Sequence, residues 1–558
     1  MSASPLRPLP RPAGLAAALA GVLTSGLFAA PGDLRWSYDA AANLFSTPAF
    51  SAAGKLFVGT SKGTGDTGAN RVLALTPGST GATQLWSYSV NDWVDSAPAL
   101  SPDGATVYVG SWNNSVYALN ASNGALRWSY ATASYVAASP AVASDGTVYV
   151  GSGDGSLYAL RPTGSPQLKW SYLADGIIEA SPAVGPDGEV VFATLGGTLT
   201  SLTPAGVLRW TVTLPVILGR DAGFKASPAI APDGTIYIGS NNHVFYAFEG
   251  LTGELKWSFE ALEEIDNTAA VTPDGRTIYF ASRAGDFYAL DEEGVLRWGK
   301  ALGDVYYSST TIDAAGNVYL PAYAGSGSTT LYAFAPDGTS LWSRTLPTVV
   351  DSSPVLAADG TLFVGGYNNR LYAIETGQAP ANEGWPRFRR SLDQSARCLP
   401  GVAPAVTASP NGGVLLAGQP FELTAAASGT GPLTYIWKHN GVTLGDTLGP
   451  VLTRATSTTD DAGLYEVVVV NSFGGATSAA AALTVGGAPT ADAGGLVWTL
   501  RRPALETVSV VERSEDLLAW TTTGVTSVVV QESEGVQTIE ARATPPAAGR
   551  VFLRLREP

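Results

Sequence analysis

The stretch Tyr117-Ala-Leu-Asn-Ala-Ser-Asn-Gly-Ala-Leu-Arg-Trp128 decides the fold, because its parts recur along the chain in a fixed order. Its L-Y-A-L-like start and its L-R-W-like end each occur eight times, as do an S-P-A-like and a Y-V-G-like pattern. All four patterns are short and rich in Val, Tyr, Ile or Trp, which is typical of β-strands. Asp-Gly pairs such as Asp233-Gly234 separate the first two patterns and predict hairpin turns. Each repeat therefore predicts one sheet of four strands.

One such sheet cannot bury both of its faces, whereas eight sheets packed radially bury them and leave only short edges. The sequence thus predicts an all-β, eight-bladed β-propeller. Its first L-R-W-like strand, Leu34 to Tyr38, precedes every S-P-A-like strand, and the last unit, Ser352 to Ile374, lacks a fourth strand. We therefore expect Leu34 to Tyr38 to pair with Leu371 to Ile374 and close the ring.

Eight tryptophans end the L-R-W-like strands, and we interpret them as structural rings wedged between adjacent sheets. They are Trp36, Trp86, Trp128, Trp170, Trp210, Trp257, Trp298 and Trp342.

A variable position precedes each S-P-A-like strand and follows a steadily apolar one, so its side chain is expected to point the other way. Its residues are Phe45, Asp95, Ala137, Glu179, Lys225, Asp266, Tyr307 and Asp351. If this strand is innermost, the acids of blades two, four, six and eight form a ring with Lys225 at one mouth of the channel. Such a ring is a candidate site for calcium or for a basic peptide. The alternative is a set of solvated loop charges too far apart to share one ion.

The composition excludes several classes of function. A net charge of −15 makes nucleic acid an unlikely partner. Cys398 is the only cysteine, and His243 and His439 are the only histidines. An intrachain disulfide cannot form, and a His-based zinc cluster or Ser-His-Asp triad has almost nothing to draw on.

The N-terminus predicts export. Arg7 and Arg11 precede an apolar stretch of small residues from Gly14 to Ala30, as in a signal peptide cleaved on the Sec route. No later run is apolar enough to span a membrane. We expect the mature protein to be periplasmic, cell-surface or extracellular.

The region after the propeller resembles other secreted modules. Val406 to Val485 is similar to an immunoglobulin-like domain, with Trp437 as its core tryptophan and Asp461-Ala-Gly-Leu-Tyr465 as its tyrosine corner. Val467 stands where the second cysteine of the usual disulfide would be. Trp498 to Arg556 resembles a small β-domain that ends multidomain secreted proteins. The predicted domains are a signal peptide over 1–30, a propeller with a closing tail over 31–398, an immunoglobulin-like domain over 399–487 and the β-domain over 488–558.

The repeat from about Asp33 to Ile374 resembles the PQQ-like propeller repeat, shared by quinoprotein alcohol dehydrogenases and BamB-type outer-membrane assembly factors. The tail Gly384-Trp-Pro-Arg-Phe-Arg-Arg390 looks like a motif that flanks such propellers. The dehydrogenase resemblance would imply PQQ, calcium and a vicinal cysteine pair, which a single cysteine cannot supply. PQQ is therefore not expected, and no cofactor is predicted, although calcium stays open.

We expect a non-catalytic binding or scaffold protein with a protein or glycan partner at the cell envelope. The alternatives are a PQQ-dependent dehydrogenase and a BamB-like assembly factor, and absence of the lipoprotein cysteine stands against the second.

Overall fold

The computed structural model describes most of the chain. The described residues are 30–63, 68–164, 167–215, 217–381, 391, 396, 402–429, 433–444, 449–471, 474–487, 490–492, 495–503, 510–514, 525–533, 536–543 and 552–556. Residues 1–29 of the predicted signal peptide, the tail motif over 384–390 and Cys398 lie outside these residues.

Eight separate four-stranded antiparallel sheets follow one another along the chain and form the blades of the propeller. In each blade the S-P-A-like pattern supplies a first strand of only two residues. The strands of blades one to four are Ala49–Phe50, Leu56–Thr60, Arg71–Pro77 and Ala82–Ser89; Ala99–Leu100, Thr106–Ser111, Ser115–Asn120 and Leu126–Ala131; Ala141–Val142, Val148–Gly151, Ser156–Leu160 and Leu168–Leu173; and Ala183–Val184, Val190–Ala193, Thr198–Leu202 and Leu208–Thr213. Those of blades five to eight are Ala229–Ile230, Ile236–Gly239, Val244–Phe248 and Leu255–Glu260; Ala270–Val271, Thr277–Ala281, Asp286–Asp291 and Leu296–Ala301; Thr311–Ile312, Val318–Gly325, Ser328–Phe334 and Ser340–Leu346; and Val355–Leu356, Thr361–Gly365, Arg370–Glu375 and Leu34–Asp39.

The N-terminal strand closes the ring, as the order of the repeats predicts. Leu34–Asp39 is the outer strand of blade eight and runs antiparallel to Arg370–Glu375, with Leu34 opposite Ile374 and Tyr38 opposite Leu371. Arg35 reinforces this edge through an ion pair with Glu375 at 2.8 Å. The predicted eight-bladed, all-β propeller with this closure is confirmed.

The Asp-Gly pairs form the predicted turns between the first two strands of a blade. In blade five, Asp233 Oδ1 accepts a hydrogen bond from the Thr235 backbone N–H at 2.9 Å, and Gly234 takes a φ of +87°. That backbone conformation favours glycine, because a Cβ strains it.

The eight tryptophans lie where neighbouring blades meet. Seven of the rings pack within 6 Å of an aromatic side chain on the second strand of their own blade, as Trp257 does with Tyr237 at 5.7 Å. Blade four is the exception, since Val191 occupies the equivalent position opposite Trp210. Seven of the indole N–H groups donate to a backbone carbonyl in the next blade, and Trp210 donates to Gly250 at 2.9 Å. Trp36, Trp86 and Trp210 are buried, and the other five are half-buried. Seven of the tryptophans therefore link their own blade to the next one through a hydrogen bond.

An additional β-sheet region follows the propeller. Its strands are Ala405–Ala408, Gly413–Leu416, Phe421–Thr424, Ala426–Ser428, Thr434–His439, Val442–Thr443, Val451–Arg454, Gly463–Asn471, Gly474–Thr477, Ala481–Gly486, Thr490–Asp492, Gly495–Pro503, Val510–Ser514, Val525–Ser533, Val536–Ala543 and Phe552–Arg556, with a 3₁₀ turn at Thr459–Asp461. Gly495–Pro503 pairs with Ala481–Gly486 on one side and with Val536–Ala543 on the other. Strands on both sides of residue 488 therefore share one sheet.

Trp437 and Tyr465 belong to the core of this region. Trp437 is fully buried and packs in one cluster with Tyr465 and Val467. The Tyr465 hydroxyl donates to the backbone carbonyl of Asp461 at 2.8 Å. Among the described residues, we find no helix with the length and apolar character needed to cross a membrane.

A candidate ligand site at the channel mouth

The segments that precede the eight first strands meet around a single cavity of about 530 Å³. All eight residues of the variable position line it, so the structure brings together the acids that lie far apart in the sequence. These residues are Phe45, Asp95, Ala137, Glu179, Lys225, Asp266, Tyr307 and Asp351. The S-P-A-like strand is therefore innermost, as the predicted ring requires, and its start forms one mouth of the channel.

Hydroxyl groups two positions after the variable residue link neighbouring segments around the mouth. Six of the seven accept a hydrogen bond from the backbone N–H at the equivalent position of the preceding blade, at 2.8 to 3.0 Å. The donor–acceptor pairs are Ala97 to Ser139, Ser139 to Ser181, Ser181 to Ser227, Thr268 to Ser309, Ser309 to Ser353 and Ser353 to Thr47. The serine and threonine of the repeat thus fix the backbone of the mouth, while the variable side chains are free to differ.

Three of the four carboxylates accept a hydrogen bond from a hydroxyl group. Glu179 accepts from Tyr135 at 2.7 Å, Asp95 from Ser61 and Asp351 from Tyr367. Burial raises the pKa of Asp95 and of Asp351, and the hydroxyl donors counteract only part of that effect. Burial and the bond to Glu179 raise the pKa of Tyr135 to about 12. Tyr135 therefore stays protonated as a donor at neutral pH.

Asp266 is the exception among the acids. Its side chain is only 4% exposed, yet neither carboxylate oxygen makes a hydrogen bond within the described part of the chain. Burial raises the pKa of Asp266, while the charges of Lys225 and Arg283 oppose the rise. Arg283 is engaged elsewhere, in an ion pair with Glu264 at 2.9 Å. The mouth therefore contains a buried carboxylate without a direct partner.

Aromatic side chains form much of the remaining wall, and three of them were not predicted from the sequence. Trp93, Trp112 and Tyr367 line the cavity together with Phe45 and Tyr307. Trp93 is 40% exposed and meets Trp112 edge-on at 5.7 Å. Trp112 in turn stacks on Tyr135 at 4.7 Å, with the two rings 9° from parallel.

A second variable position in the repeat could have revealed part of this wall. Trp112 and Tyr367 each lie four residues after the buried aromatic of the second strand, Tyr108 and Phe363. Ser61, the donor to Asp95, lies at the same position after Phe57.

Calcium at this ring is still a prediction. Within the described residues, no group of three or more His, Cys, Asp or Glu side chains is arranged to hold a metal ion. The four acids thus surround a cavity without converging on one point.

Three solved propeller structures align with this chain. The solved structure of BamB from Moraxella catarrhalis aligns with a TM-score of 0.50 at 16% identity, over 62% of this chain and 99% of that one. Sqt1 from Saccharomyces cerevisiae aligns with a TM-score of 0.53 at 13% identity, over 63% of this chain and 100% of that one. Sqt1 from Chaetomium thermophilum, bound to the N-terminus of the ribosomal protein L10, aligns with a TM-score of 0.52 at 14% identity, over 62% and 100%. At these identities the structures show a common fold alone.

A comparison with curated protein sequences finds no match. A family model described as outer membrane protein assembly factor BamB matches residues 68–216, 170–317 and 314–440, which together cover more than half of the chain. The repeats, the eight closed blades and this match lead to one conclusion: the chain belongs to the family of BamB-type PQQ-like β-propellers.

Proposed function

We propose that this propeller is a non-catalytic, exported binding scaffold whose partner is held at the mouth of the central channel. One observation carries the proposal: residues from the same variable position of all eight blades line one cavity of about 530 Å³. That volume lies in the range of ligand sites in proteins. The repeat keeps apolar and hydroxyl residues where they hold the fold and varies the side chains that face the cavity. Such a division between scaffold and face is typical of binding surfaces built on repeats.

The comparisons support a protein partner in particular. The matching family is described as an assembly factor, and one similar propeller was solved bound to the N-terminus of another protein. A role in handling envelope proteins during assembly is the second candidate function, and the family match favours it. Both functions require export, which the basic and apolar N-terminus predicts.

We also propose that the β-sheet region after the propeller contains an immunoglobulin-like module that spaces or displays the propeller. The hydrogen bond from Tyr465 to the Asp461 carbonyl, beside the buried Trp437, supports this assignment. Val467 is fully buried in the same core, where it replaces the missing half-cystine by apolar packing.

A quinoprotein dehydrogenase fits the mouth poorly. PQQ is a tricarboxylate, and the cavity presents four acids against a single lysine, Lys225. Like charges oppose the binding of such an anion. We expect no dye-linked oxidation of alcohols or sugars by the full chain supplied with PQQ and calcium. Turnover that requires PQQ would overturn the non-catalytic proposal.

Photo-crosslinking tests where the partner binds. A benzoylphenylalanine placed at Ala137, which is half-buried in the mouth, should give a discrete adduct in cells that produce the protein. The matched control is the same residue at Leu126, which is 45% exposed on the outer strand of blade two. Adducts of the same identity and yield at both positions, or none from the mouth, would contradict binding at the channel. Mass spectrometry of the adduct distinguishes a protein partner from a glycan.

A further inference from the structure

The four carboxylates of the mouth differ in whether the protein itself supplies a hydrogen-bond donor to them. Asp95, Glu179 and Asp351 each have a hydroxyl donor from the protein itself, whereas both oxygens of Asp266 have none within the described residues. Asp266 nonetheless lines the cavity, although only 4% of its surface is exposed. A buried charge without a partner is costly, and a donor from a ligand would remove that cost.

The donor that suits Asp266 is a cation on a long stem. A bare metal ion is poorly suited, because no three acidic, histidine or cysteine side chains among the described residues are grouped around one point. The cavity, at about 530 Å³, is also far larger than an ion. A lysine ammonium or arginine guanidinium can reach a recessed carboxylate and form a charge-assisted hydrogen bond there.

The walls of the mouth suit the rest of such a side chain. Tyr307 belongs to blade seven, next to Asp266 in the ring, and is 54% exposed. Across the mouth, Trp93 and Trp112 border Asp95. Aromatic faces attract cations and pack against the apolar stems of lysine and arginine. The acids stand on alternate blades, so a ligand with several separated cations matches them better than one with a single charge.

Lys225 does not already fill this role. Lys225 belongs to the blade before that of Asp266, and its positive charge lowers the pKa of Asp266 without direct contact. Within the described residues, however, Lys225 and Asp266 make no ion pair at 4 Å or less. The ion pairs of the described propeller involve other groups, and both Asp266 oxygens lack a hydrogen-bond partner.

We propose that the channel mouth binds an extended polypeptide segment through its lysine or arginine side chains, one of which pairs with Asp266. This inference rests on the proposed function and specifies its ligand class. The favoured segment carries basic residues separated by small ones, so that neighbouring cations reach different acids of the ring.

Fluorescence anisotropy with the full chain tests the inference. The probe is a labelled synthetic peptide of alternating lysine and glycine, and its counterpart has glutamate in place of lysine. We expect the lysine peptide to bind and the glutamate peptide not to bind. Asp266→Asn should weaken binding about tenfold, as expected for loss of a hydrogen bond between charged groups. Asp95→Asn combined with Asp266→Asn should weaken it further.

Glu293→Gln is the matched control, because it removes one negative charge from an exposed site of the same blade, in the turn before the outer strand. Binding by this variant should equal that of the parent. Equal affinity of the Asp266→Asn and Glu293→Gln variants would mean that the peptide responds only to the net charge of −15, and would overturn the inference. Circular dichroism verifies that both variants are folded.

Two further results would also overturn it. One is binding of a neutral oligosaccharide or of calcium that depends on Asp266 while the lysine peptide does not bind. The other is no binding of the lysine peptide at all. In either case a discrete adduct from the photo-crosslinker at Ala137 would still support a partner at the mouth, whereas the absence of that adduct would remove the proposed function as well.

Discussion

The backbone N–H of Ser353 in blade eight donates to Oγ1 of Thr47 in blade one at 3.0 Å, joining residues that are 306 positions apart. This bond joins the last blade to the first at the inner strands, and the N-terminal strand completes the same last blade at its outer edge. The last blade is thus tied to the first part of the chain at both its inner and its outer strand. A propeller closed in this way has a complete four-stranded blade at the point where its two ends meet.

Trp36 should be the most sensitive residue of that closure. It is 6% exposed and packs against Phe363 at 5.6 Å, so Trp36→Ala removes a large buried ring from the last blade. We expect a loss of about 3–5 kcal/mol in the free energy of unfolding, measured by chemical denaturation. Leu34→Ala on the same strand is the control, since Leu34 is 36% exposed and should change little. Similar losses for the two variants would contradict the assigned closure.

Gly253 should tolerate alanine less well than Gly234 of the same blade. Both have a positive φ, of +75° and +87°, so alanine strains either backbone by roughly 1–2 kcal/mol. At Gly253, however, a Cβ would lie 2.7 Å from the ring of Trp210, whereas at Gly234 nothing lies within 4 Å. Overpacking should therefore cost Gly253→Ala about 1–3 kcal/mol more. Equal unfolding free energies for the two variants would show that the tryptophan does not pack on this turn.

The blade count, the strand order, the closing strand and the ring of variable residues could all be predicted, because eight in-phase repeats reveal which positions share a place in the fold. Asp266 was identified in this way from its position before the first strand. Its lack of a hydrogen-bond donor could not be predicted, because the donors to the other acids come from different parts of the repeat. Ser61 and Tyr367 follow the second strand, whereas Tyr135 precedes the variable position of its own blade and reaches Glu179 in the next one.

The aromatic wall was missed for a related reason. Trp93 and Trp112 do not recur in the other blades, so their residue type carries no periodic signal. The pairing of Gly495–Pro503 with Ala481–Gly486 was missed because it joins strands across an expected domain boundary, and hydrophobic alternation within a strand does not specify its partner.

The hydroxyl group of Tyr465 should stabilise the region after the propeller. Tyr465→Phe removes its hydrogen bond to the Asp461 carbonyl, at 2.8 Å, and preserves the ring in the core. We expect a loss of about 1 kcal/mol in the unfolding free energy of this region. Tyr435→Phe is the control, because that half-buried tyrosine packs at the edge of the same cluster. A stability loss as large for Tyr435→Phe would argue against a specific role for the corner bond.

Asp266→Asn should make the folded protein more stable at neutral pH, and the gain should disappear in acid. Burial raises the pKa of Asp266 above its value in the unfolded chain, so the folded state holds the proton more tightly. Folding stability therefore falls as the pH rises from about 4 through the folded-state pKa, and it stays lowered above that pKa. Asparagine cannot ionise and escapes this penalty. We expect thermal unfolding to show a higher Tm for Asp266→Asn than for the parent at pH 7, with the difference shrinking towards pH 4.

Glu293→Gln serves again as the control for this comparison, because it removes an exposed charge and should leave the Tm unchanged at either pH. A lower Tm for Asp266→Asn at pH 7 would mean that the carboxylate is satisfied in the free protein. The mouth would then have no unpaired acid to offer a basic ligand. A higher Tm, together with weaker binding of the lysine peptide, would mean that the same carboxylate that costs stability in the free protein provides affinity in the complex. That combination is expected of a group retained for binding rather than for folding.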